Sequence, residues 1–329
     1  MDELVAPFPW FGGKSYAAPM VADLLRGATS YVEPFCGSLA VLLASPARRV
    51  ETVNDADGLL VNAWRAMRAD PEGLAAVCDW PVSEADLSAR HLWLVGRRAE
   101  ISARVQTDTE WYDRKAAGWW IWGACSWIGS GWCSGDGPWT ADPETGAWVG
   151  GAGRGINRQL PHLGDAGKGI NRLTHDGRRA FLVSWFGKLA ARLSRVRIAC
   201  GDWSRVVTPA VVDPLRDGLG GVFLDPPYSE GWDTEGAYAG GGDCFAAVAE
   251  WATTAPESWR IVVAGYSTMW ATPPGWTVHA INSRGGYQKG ARSGTEVLWA
   301  SPACGSQPSL FAQDFSFATP TISGEEKRQ

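Results

Sequence analysis

Residues 225 to 228 read Asp-Pro-Pro-Tyr and directly follow the apolar run Gly-Val-Phe-Leu, so a predicted buried strand ends in a carboxylate, two prolines and an aromatic ring. An amino group on a nucleobase has two hydrogens, which the Asp225 carboxylate and the Pro226 carbonyl can accept, while Tyr228 can stack on the ring. Pro226 and Pro227 lack backbone N–H donors and have a fixed φ, which keeps that carbonyl out of helix and sheet. The four residues also fit an ordinary strand end followed by a Pro-Pro turn.

Two further motifs lie near the N-terminus. The turn Pro-Trp-Phe-Gly-Gly-Lys-Ser at 9–15 leaves almost no side chain between the backbone and a ligand, and Ser15 is expected to cap the helix that follows. The run at 31–43 predicts a strand, a glycine-containing turn and a helix start, which is the common seat of an adenosine cofactor. Twenty residues after Phe35, Asp55 ends the next predicted strand and is the acid expected to accept hydrogen bonds from both ribose hydroxyls.

A Gly-Asp-Trp motif at 201–203 ends another predicted strand. Asp202 can accept a hydrogen bond from an adenine amino group, and Trp203 can pack on the ring. Asp55 and Asp202 are each also compatible with a plain strand-end or turn carboxylate. The order of the motifs along the chain is therefore more informative than either aspartate alone.

Alternating strands and helices at both ends of the chain predict an α/β fold with a doubly wound, Rossmann-like sheet and helices on both faces. The predicted strands are 30–33, 49–54, 196–200, 222–225, 260–264, 277–281 and 296–300, and the helices among them are 39–44, 57–68 and 243–254.

The alternation stops between residues 80 and 175. This stretch begins with predicted helices at 84–106 and 111–125 and continues as a loop region rich in Trp, Gly and Arg. The chain is accordingly divided into a core of 1–79 and 176–300, an inserted, mostly helical and loop-rich subdomain at 80–175, and a flexible C-terminal tail at 301–329.

Eight of the 20 tryptophans lie between residues 111 and 148. The spacing of Trp120, Ala124, Trp127 and Ile128 suits one helix face and predicts core packing. The tryptophans at 132, 139 and 148 lie among Gly, Asp and Pro, where they either fill a small core or stack on displaced bases.

Positive charge is concentrated in the middle of the chain although the net charge is -5. From Arg154 to Arg197 there are ten Lys or Arg and only two Asp, a local balance of +8, which suits phosphates. A solvated basic helix at 176–197 accounts for about half of these charges. The glycine-rich part before that helix has no helical period.

The order of these motifs resembles the DNA adenine methyltransferase (Dam) family, the alpha-ordered amino methyltransferases with a DPPY motif. The likeness covers roughly residues 9–300 and includes a basic loop and last strand at 281–301. It implies an S-adenosylmethionine-dependent methyltransferase sheet whose final two strands are antiparallel, and it makes 80–175 a target-recognition subdomain.

The resemblance assigns roles residue by residue. It implies that Trp10, Gly13, Lys14, Glu33, Phe35, Gly37, Asp55, Asp202 and Trp203 bind the cofactor and that Asp225, Pro226, Pro227 and Tyr228 are catalytic. Double-stranded DNA would contact the basic residues Arg154, Arg158, Lys168, Arg172, Arg284, Lys289 and Arg292.

One residue departs from the family pattern. The family's turn has a second glycine two residues after Gly37, where this chain has Leu39. We expect Leu39 to be right-handed, so that the cofactor sits further away or the helix starts earlier.

Together the motifs predict a site-specific, adenine-specific DNA methyltransferase, with flipping of the base and direct transfer of the methyl group to N6. Methylation of cytosine N4 is an alternative because cytosine presents a similar amino group, as is a structured-RNA methyltransferase. A non-catalytic DNA-binding protein on the same fold is a third. The recognised sequence and a restriction-modification partner are not given by the residues.

The composition of the chain predicts its cellular location and the state of its cysteines. No run of 18 apolar residues and no secretory signal pattern occur, so a cytoplasmic protein without membrane attachment is expected, as a monomer or weak dimer. Seven cysteines without a CxxC pair and four scattered histidines predict neither a disulfide framework nor a zinc site. In the tail, Gln307, Leu310 and Phe311 resemble a peptide that binds the sliding clamp, or else cover a groove on the catalytic domain.

Overall fold

The computed structural model describes residues 4–10, 12–127, 132–133, 139–141, 148–150, 169–172, 176–227, 244–281 and 294–305. Its strands are β1 (Ser30–Glu33), β2 (Val50–Asp55), β3 (Trp139–Ala141), β4 (Trp148–Gly150), β5 (Val196–Cys200), β6 (Gly220–Leu224), β7 (Arg260–Tyr266), β8 (Thr277–Ala280) and β9 (Glu296–Ala300). Its α-helices are α1 (Ala18–Leu24), α2 (Ala40–Ala44), α3 (Gly58–Ala69), α4 (Pro71–Cys78), α5 (Glu84–Thr107), α6 (Arg114–Ser126), α7 (Arg178–Leu193), α8 (Pro209–Val212) and α9 (Phe245–Thr254).

Seven of these strands form one sheet in the order β5-β2-β1-β6-β7-β9-β8. The first five are parallel, and β9 is antiparallel to both β7 and β8. The α/β sheet and its antiparallel last pair are therefore as predicted. Because the order reverses between β1 and β6, a crevice is expected at the carboxyl ends of these two strands.

The central strands are buried on both faces. In β1, Tyr31 belongs to the larger of two buried clusters and Val32 to the smaller, and both side chains are 0% exposed. In β6, Phe223 belongs to the larger cluster and Val222 to the smaller one. Since neighbouring residues of a strand point to opposite faces, the two clusters lie on opposite sides of the sheet, as in a doubly wound fold.

Helices α5 and α6 begin the stretch that the sequence assigns to an insertion. They pack against α3 and α4, and Leu94, Ile101 and Trp122 belong to the same buried cluster as Tyr31. This part of the stretch therefore shares the core of the sheet. The assignment of 80–175 to a target-recognition subdomain stays a prediction.

The tryptophans of α6 and its C-terminal end fill this core. Trp120 and Trp127 are 3% and 7% exposed, which confirms the core packing predicted for them. Trp132 donates from Nε1 to the Trp120 carbonyl at 3.1 Å. A Cβ on Gly123 would lie only 1.9 Å from Cζ2 of the Trp132 ring. Trp132 is thus half-buried and packs against the core; for the other two tryptophans of the loop region the side chains lie outside the described part.

Two local expectations are wrong. Helix α1 begins at Ala18 with Ala17 as its N-cap and no side-chain cap, so Ser15 does not cap it. Pro19 has no N–H to donate and is tolerated only in a first turn, which fixes the helix start there. The region expected to be loop contains β3 and β4, which pair as a two-stranded antiparallel sheet.

Part of the predicted basic helix is α7, and its charges are not simply solvated. Arg192 contacts the buried Glu51 of β2, with 2.6 Å between Nη1 and Oε2. Arg178 and Arg179 both contact Asp79, at 3.2 and 2.9 Å. These three arginines therefore fix α7 to the rest of the fold.

Candidate active site

Four parallel strands bring the predicted acids to one edge of the sheet. Glu33 ends β1 and Asp55 ends β2. Asp202 lies two residues beyond β5, and Asp225 directly follows β6. Because β5, β2, β1 and β6 are parallel neighbours, their carboxyl ends coincide, and this is the edge at which open α/β sheets bind ligands.

The turn after β1 lies in close contact with the N-terminal segment. Gly37 has a φ of 44°, and a Cβ at this position would lie 2.4 Å from Nε1 of Trp10. A Cβ on Gly13 would lie 3.2 Å from the Trp10 carbonyl. On the other side, Trp64 donates from Nε1 to the Gly37 carbonyl at 2.9 Å. The predicted Trp10, Gly13 and Gly37 are therefore brought together by packing that tolerates almost no side chain at position 37.

Leu39 has a left-handed backbone, with φ 57° and ψ 25°, at the N-cap of α2. The expected right-handed conformation is wrong. The side chain is 0% exposed, and the Leu39 amide donates to the Cys36 carbonyl at 2.7 Å. A left-handed leucine costs about 1–2 kcal/mol, and burying its side chain contributes roughly 1.5–3 kcal/mol, so packing holds the strained residue. The turn keeps the conformation that a glycine would adopt.

Asp55 is oriented by two backbone amides. Its Oδ2 accepts from the Gly37 N–H and its Oδ1 from the Asp57 N–H, both at 3.0 Å. Burial raises the pKa of Asp55 to about 6, and these hydrogen bonds oppose the rise. The carboxylate is therefore fixed beside the turn after β1, where it can accept hydrogen bonds from a neighbouring diol.

Asn54 is a positioning residue that the sequence reasoning missed. Its side chain is 2% exposed and donates to the Pro34 carbonyl at 3.0 Å and to the Gly201 carbonyl at 2.9 Å. It thereby joins the turns that follow β1 and β5. An amide directly before the predicted acid was the signal available in the sequence.

Asp202 and Trp203 begin a short 3-10 helix, Trp203–Val206. Asp202 is exposed and caps this helix by accepting from the Ser204 N–H at 2.9 Å, so it is at least the turn carboxylate that the sequence allowed. The rings of Trp203 and Phe35 are 6.1 Å apart between centroids and inclined by 30°. Two aromatic rings thus lie beside each other beyond the ends of β1 and β5.

Asp225 is paired with a lysine from the N-terminal segment. The Nζ of Lys14 lies 2.9 Å from Oδ1 of Asp225 and 3.1 Å from Oε1 of Glu296, and it donates to the Gly12 carbonyl at 2.8 Å. Burial lowers the pKa of Lys14, but the two carboxylates outweigh it, and the pKa is raised overall. The ammonium group therefore stays charged. After Asp225, Pro226 is buried and Pro227 half-buried.

Glu33 is buried beneath this group and is 3% exposed. Burial raises its pKa to about 8, a hydrogen bond from Tyr31 lowers it, and the nearby Asp225 raises it further. The Tyr31 hydroxyl lies 2.9 Å from Glu33 Oε2. At neutral pH the Glu33 carboxyl is therefore largely protonated and adds little negative charge to the site.

Several predicted residues lie outside the described part of the chain. They are Tyr228, Arg154, Arg158, Lys168, Arg284, Lys289 and Arg292, together with Gln307, Leu310 and Phe311 of the tail. Arg172 ends a described 3-10 helix, Gly169–Arg172, but its side chain is outside as well.

The residues that the structure describes hold no group of three or more His, Cys, Asp or Glu side chains arranged to bind a metal ion. Among the same residues, no helix has the length and apolar character needed to cross a membrane.

Comparison with known proteins gives a family match for the N-terminal part of the chain. Residues 10–85 match the family model of the D12 class N6 adenine-specific DNA methyltransferases. The matched segment contains Trp10, Lys14, Gly37 and Asp55, whereas Asp202 and Asp225 lie beyond it. No curated protein gave a significant match.

Proposed function

Since residues 10–85 carry the signature of the D12 class N6 adenine-specific DNA methyltransferases, which are enzymes, we propose that this chain methylates the N6 amino group of adenine in double-stranded DNA with S-adenosylmethionine. The family implies adenine N6 methylation of DNA. The cofactor, the flipped base and the roles of individual residues are parts of this proposal.

The contact between Lys14 and Asp225 supports the proposal most directly. Lys14 belongs to the segment that matches the family, and Asp225 belongs to the motif suited to an amino group, 211 residues further along the chain. Their 2.9 Å ion pair joins the two parts at the carboxyl edge of the sheet. Because β6 pairs with β1, the end of β6 lies beside the matched segment, and the ion pair adds a specific contact between the two motifs.

The residues around the first turn suit S-adenosylmethionine. Gly37 and Gly13 allow Trp10 to pack closely beside the turn after β1, and the Asp55 carboxylate is held by two amides in a position to accept from ribose hydroxyls. Phe35 and Trp203 offer aromatic surface for an adenine ring. When bound, the cofactor supplies a methyl group activated by a sulfonium.

The Asp225 segment would bind the amino group of the target base. The nitrogen is a poor nucleophile because its lone pair is delocalised into the ring. Hydrogen bonds from its two hydrogens to the Asp225 carboxylate and the Pro226 carbonyl favour a pyramidal nitrogen and localise the lone pair. The carboxylate must be ionised for this task, and the neighbouring Lys14 ammonium favours the ionised form.

The target amino group lies inside the duplex and has to be extruded, at a cost of a few kcal/mol. Tyr228 would stack on the extruded ring, and the basic residues of the two loops would hold the DNA backbone. These residues enter the proposal from the sequence alone.

Replacement of Asp225 by Asn tests the proposal. Asn keeps the size of the side chain but lacks the charge and presents one acceptor oxygen, so we expect turnover to fall at least 100-fold while the dissociation constant of S-adenosylmethionine changes less than about threefold. Methyl transfer from labelled cofactor to unmethylated genomic DNA gives the rate, and titration calorimetry gives the dissociation constant. Glu257→Gln is the matched control, because Glu257 is an exposed acid just before β7, at the opposite edge of the sheet.

Near-normal turnover of Asp225→Asn would refute the assignment of the catalytic acid. Mass spectrometry of nucleosides from the methylated DNA identifies the base. We expect N6-methyladenine; N4-methylcytosine would replace the adenine assignment by the cytosine alternative.

A further inference from the structure

The Lys14 ammonium is shared between two carboxylates from different strands. Asp225 follows β6, and Glu296 begins β9, 282 residues after Lys14 in the sequence. The lysine side chain is 3% exposed, whereas those of Asp225 and Glu296 are 18% and 13% exposed. An ammonium group has three N–H donors, and with the Gly12 carbonyl three acceptors lie within 3.1 Å. The position of the Lys14 charge is therefore determined by its surroundings.

Glu296 is held in turn by Tyr16. The Tyr16 hydroxyl donates to Oε2 of Glu296, while Oε1 of the same carboxylate faces Lys14. Tyr16 is 41% exposed, but the partial burial of its ring raises the pKa of the hydroxyl, and the hydrogen bond to Glu296 raises it further, so the hydroxyl keeps its proton and remains a donor. The contacts form a continuous chain from Tyr16 through Glu296 and Lys14 to Asp225.

We propose that Glu296 and Tyr16 are positioning residues, which act through Lys14 to orient the Asp225 carboxylate, while the Lys14 ammonium keeps that carboxylate ionised. This inference rests on the catalytic role proposed for Asp225. It adds two residues to which the sequence assigned no role, and it gives Lys14 a function toward the catalytic acid in addition to the cofactor contact that the resemblance implies.

The charge balance explains why Glu296 is needed. If Lys14 contacted Asp225 without Glu296, its full charge would weaken the Asp225 carboxylate as a hydrogen-bond acceptor. The flexible lysine side chain would also lose one of the contacts that fix its position. Sharing the ammonium between two carboxylates leaves one net negative charge at the group. That charge suits a reaction in which a positive charge moves toward the amino nitrogen.

Within the described part of the chain, the titratable groups around Asp225 come from three parts of the fold. Lys14 and Tyr16 belong to the segment before α1, Glu33 to β1 and Glu296 to β9. Glu33 is largely protonated at neutral pH, so the charge next to Asp225 depends mainly on Lys14 and Glu296. Removing Lys14 should raise the pKa of Asp225, and removing the charge of Glu296 should lower it.

The test compares Glu296→Gln, Tyr16→Phe and Lys14→Met with the unmodified chain, using labelled S-adenosylmethionine and unmethylated genomic DNA between pH 5.5 and 9. We expect kcat to fall roughly tenfold in Glu296→Gln and about threefold in Tyr16→Phe, with KM for DNA and the cofactor dissociation constant within about twofold. In Lys14→Met, the acid limb of the kcat profile should move to higher pH, and in Glu296→Gln to lower pH. Disturbed packing alone gives no such opposite shifts.

An unchanged kcat in both Glu296→Gln and Tyr16→Phe would overturn the inference. So would a loss of cofactor binding as large as the loss of kcat, because the group would then serve the cofactor. These two mild variants keep the test valid if Lys14→Met does not fold. If Asp225→Asn stays active, the catalytic role proposed for Asp225 fails first; if it is inactive and the two variants are normal, only the positioning role fails.

Discussion

The left-handed backbone of Leu39 predicts an inverted order of stability between two small substitutions. At most helical positions, alanine gives a more stable protein than glycine. At Leu39, where φ is 57°, alanine must pay the left-handed cost of about 1–2 kcal/mol and glycine does not. Glycine loses about 0.5–1 kcal/mol of this advantage because its unfolded chain has more freedom. Leu39→Gly should therefore be about 0.5–1 kcal/mol more stable than Leu39→Ala.

Both variants should be less stable than the unmodified chain. The Leu39 side chain is 0% exposed, and truncation of a buried leucine costs about 2.7–5 kcal/mol. The comparison between the two variants is cleaner than either absolute value, since both leave nearly the same cavity. Urea unfolding followed by tryptophan fluorescence gives the two midpoints and slopes.

Leu42 provides the matched control. It is also 0% exposed, and it lies inside the same short helix α2. There Leu42→Gly should be about 1 kcal/mol less stable than Leu42→Ala, the opposite order. If the pair at Leu39 follows the same order as the pair at Leu42, the left-handed conformation and the argument built on it are refuted.

Two further predictions concern the same edge of the sheet. Gly37→Ala places a Cβ 2.4 Å from Nε1 of Trp10, so either the turn or the indole must move. Calorimetry should then show the cofactor dissociation constant raised at least tenfold. An unchanged dissociation constant would contradict the close contact between Trp10 and the turn. For Glu33, whose pKa is raised from 4.5 to about 8, folding binds a proton, so its contribution to stability is complete below about pH 4.5 and is lost toward pH 8, at up to about 1.4 kcal/mol per pH unit. Glu33→Gln keeps an acceptor for Tyr31 and should show a shallower decline in urea unfolding from pH 5 to 8, whereas an equal decline would exclude Glu33 as its source.

The sheet could be predicted from the sequence because its signals are local. Strands β1, β5 and β9 have the predicted bounds, since each is a short run of β-branched, aromatic or aliphatic residues between polar or small ones. Helices α4 and α8 were missed. Each begins with a proline directly after an aspartate or a threonine, a pattern that marks turns as often as first helical turns.

Leu39 shows where local rules fail. A glycine at that position would have predicted a left-handed turn, and a leucine predicted its absence. The decisive term is the burial of the side chain in a cluster built from distant helices, which a residue-by-residue reading does not contain. Tertiary packing therefore overrode the backbone preference of one residue without changing the turn.

The group around Asp225 depends on long-range topology. Asp225 and Lys14 stood out by their motifs, but Glu296 is only the first residue of a predicted strand, and Tyr16 is an aromatic residue near a helix start. They meet because β9 runs antiparallel to β7, which brings its first residue to the carboxyl edge of the parallel strands. The register pairs Tyr266 with Glu296 and so sets the depth of that carboxylate at the edge. Moving β9 by one residue would turn Glu296 to the other face of the sheet, so the strand register itself decides whether Lys14 has a second anion to bind.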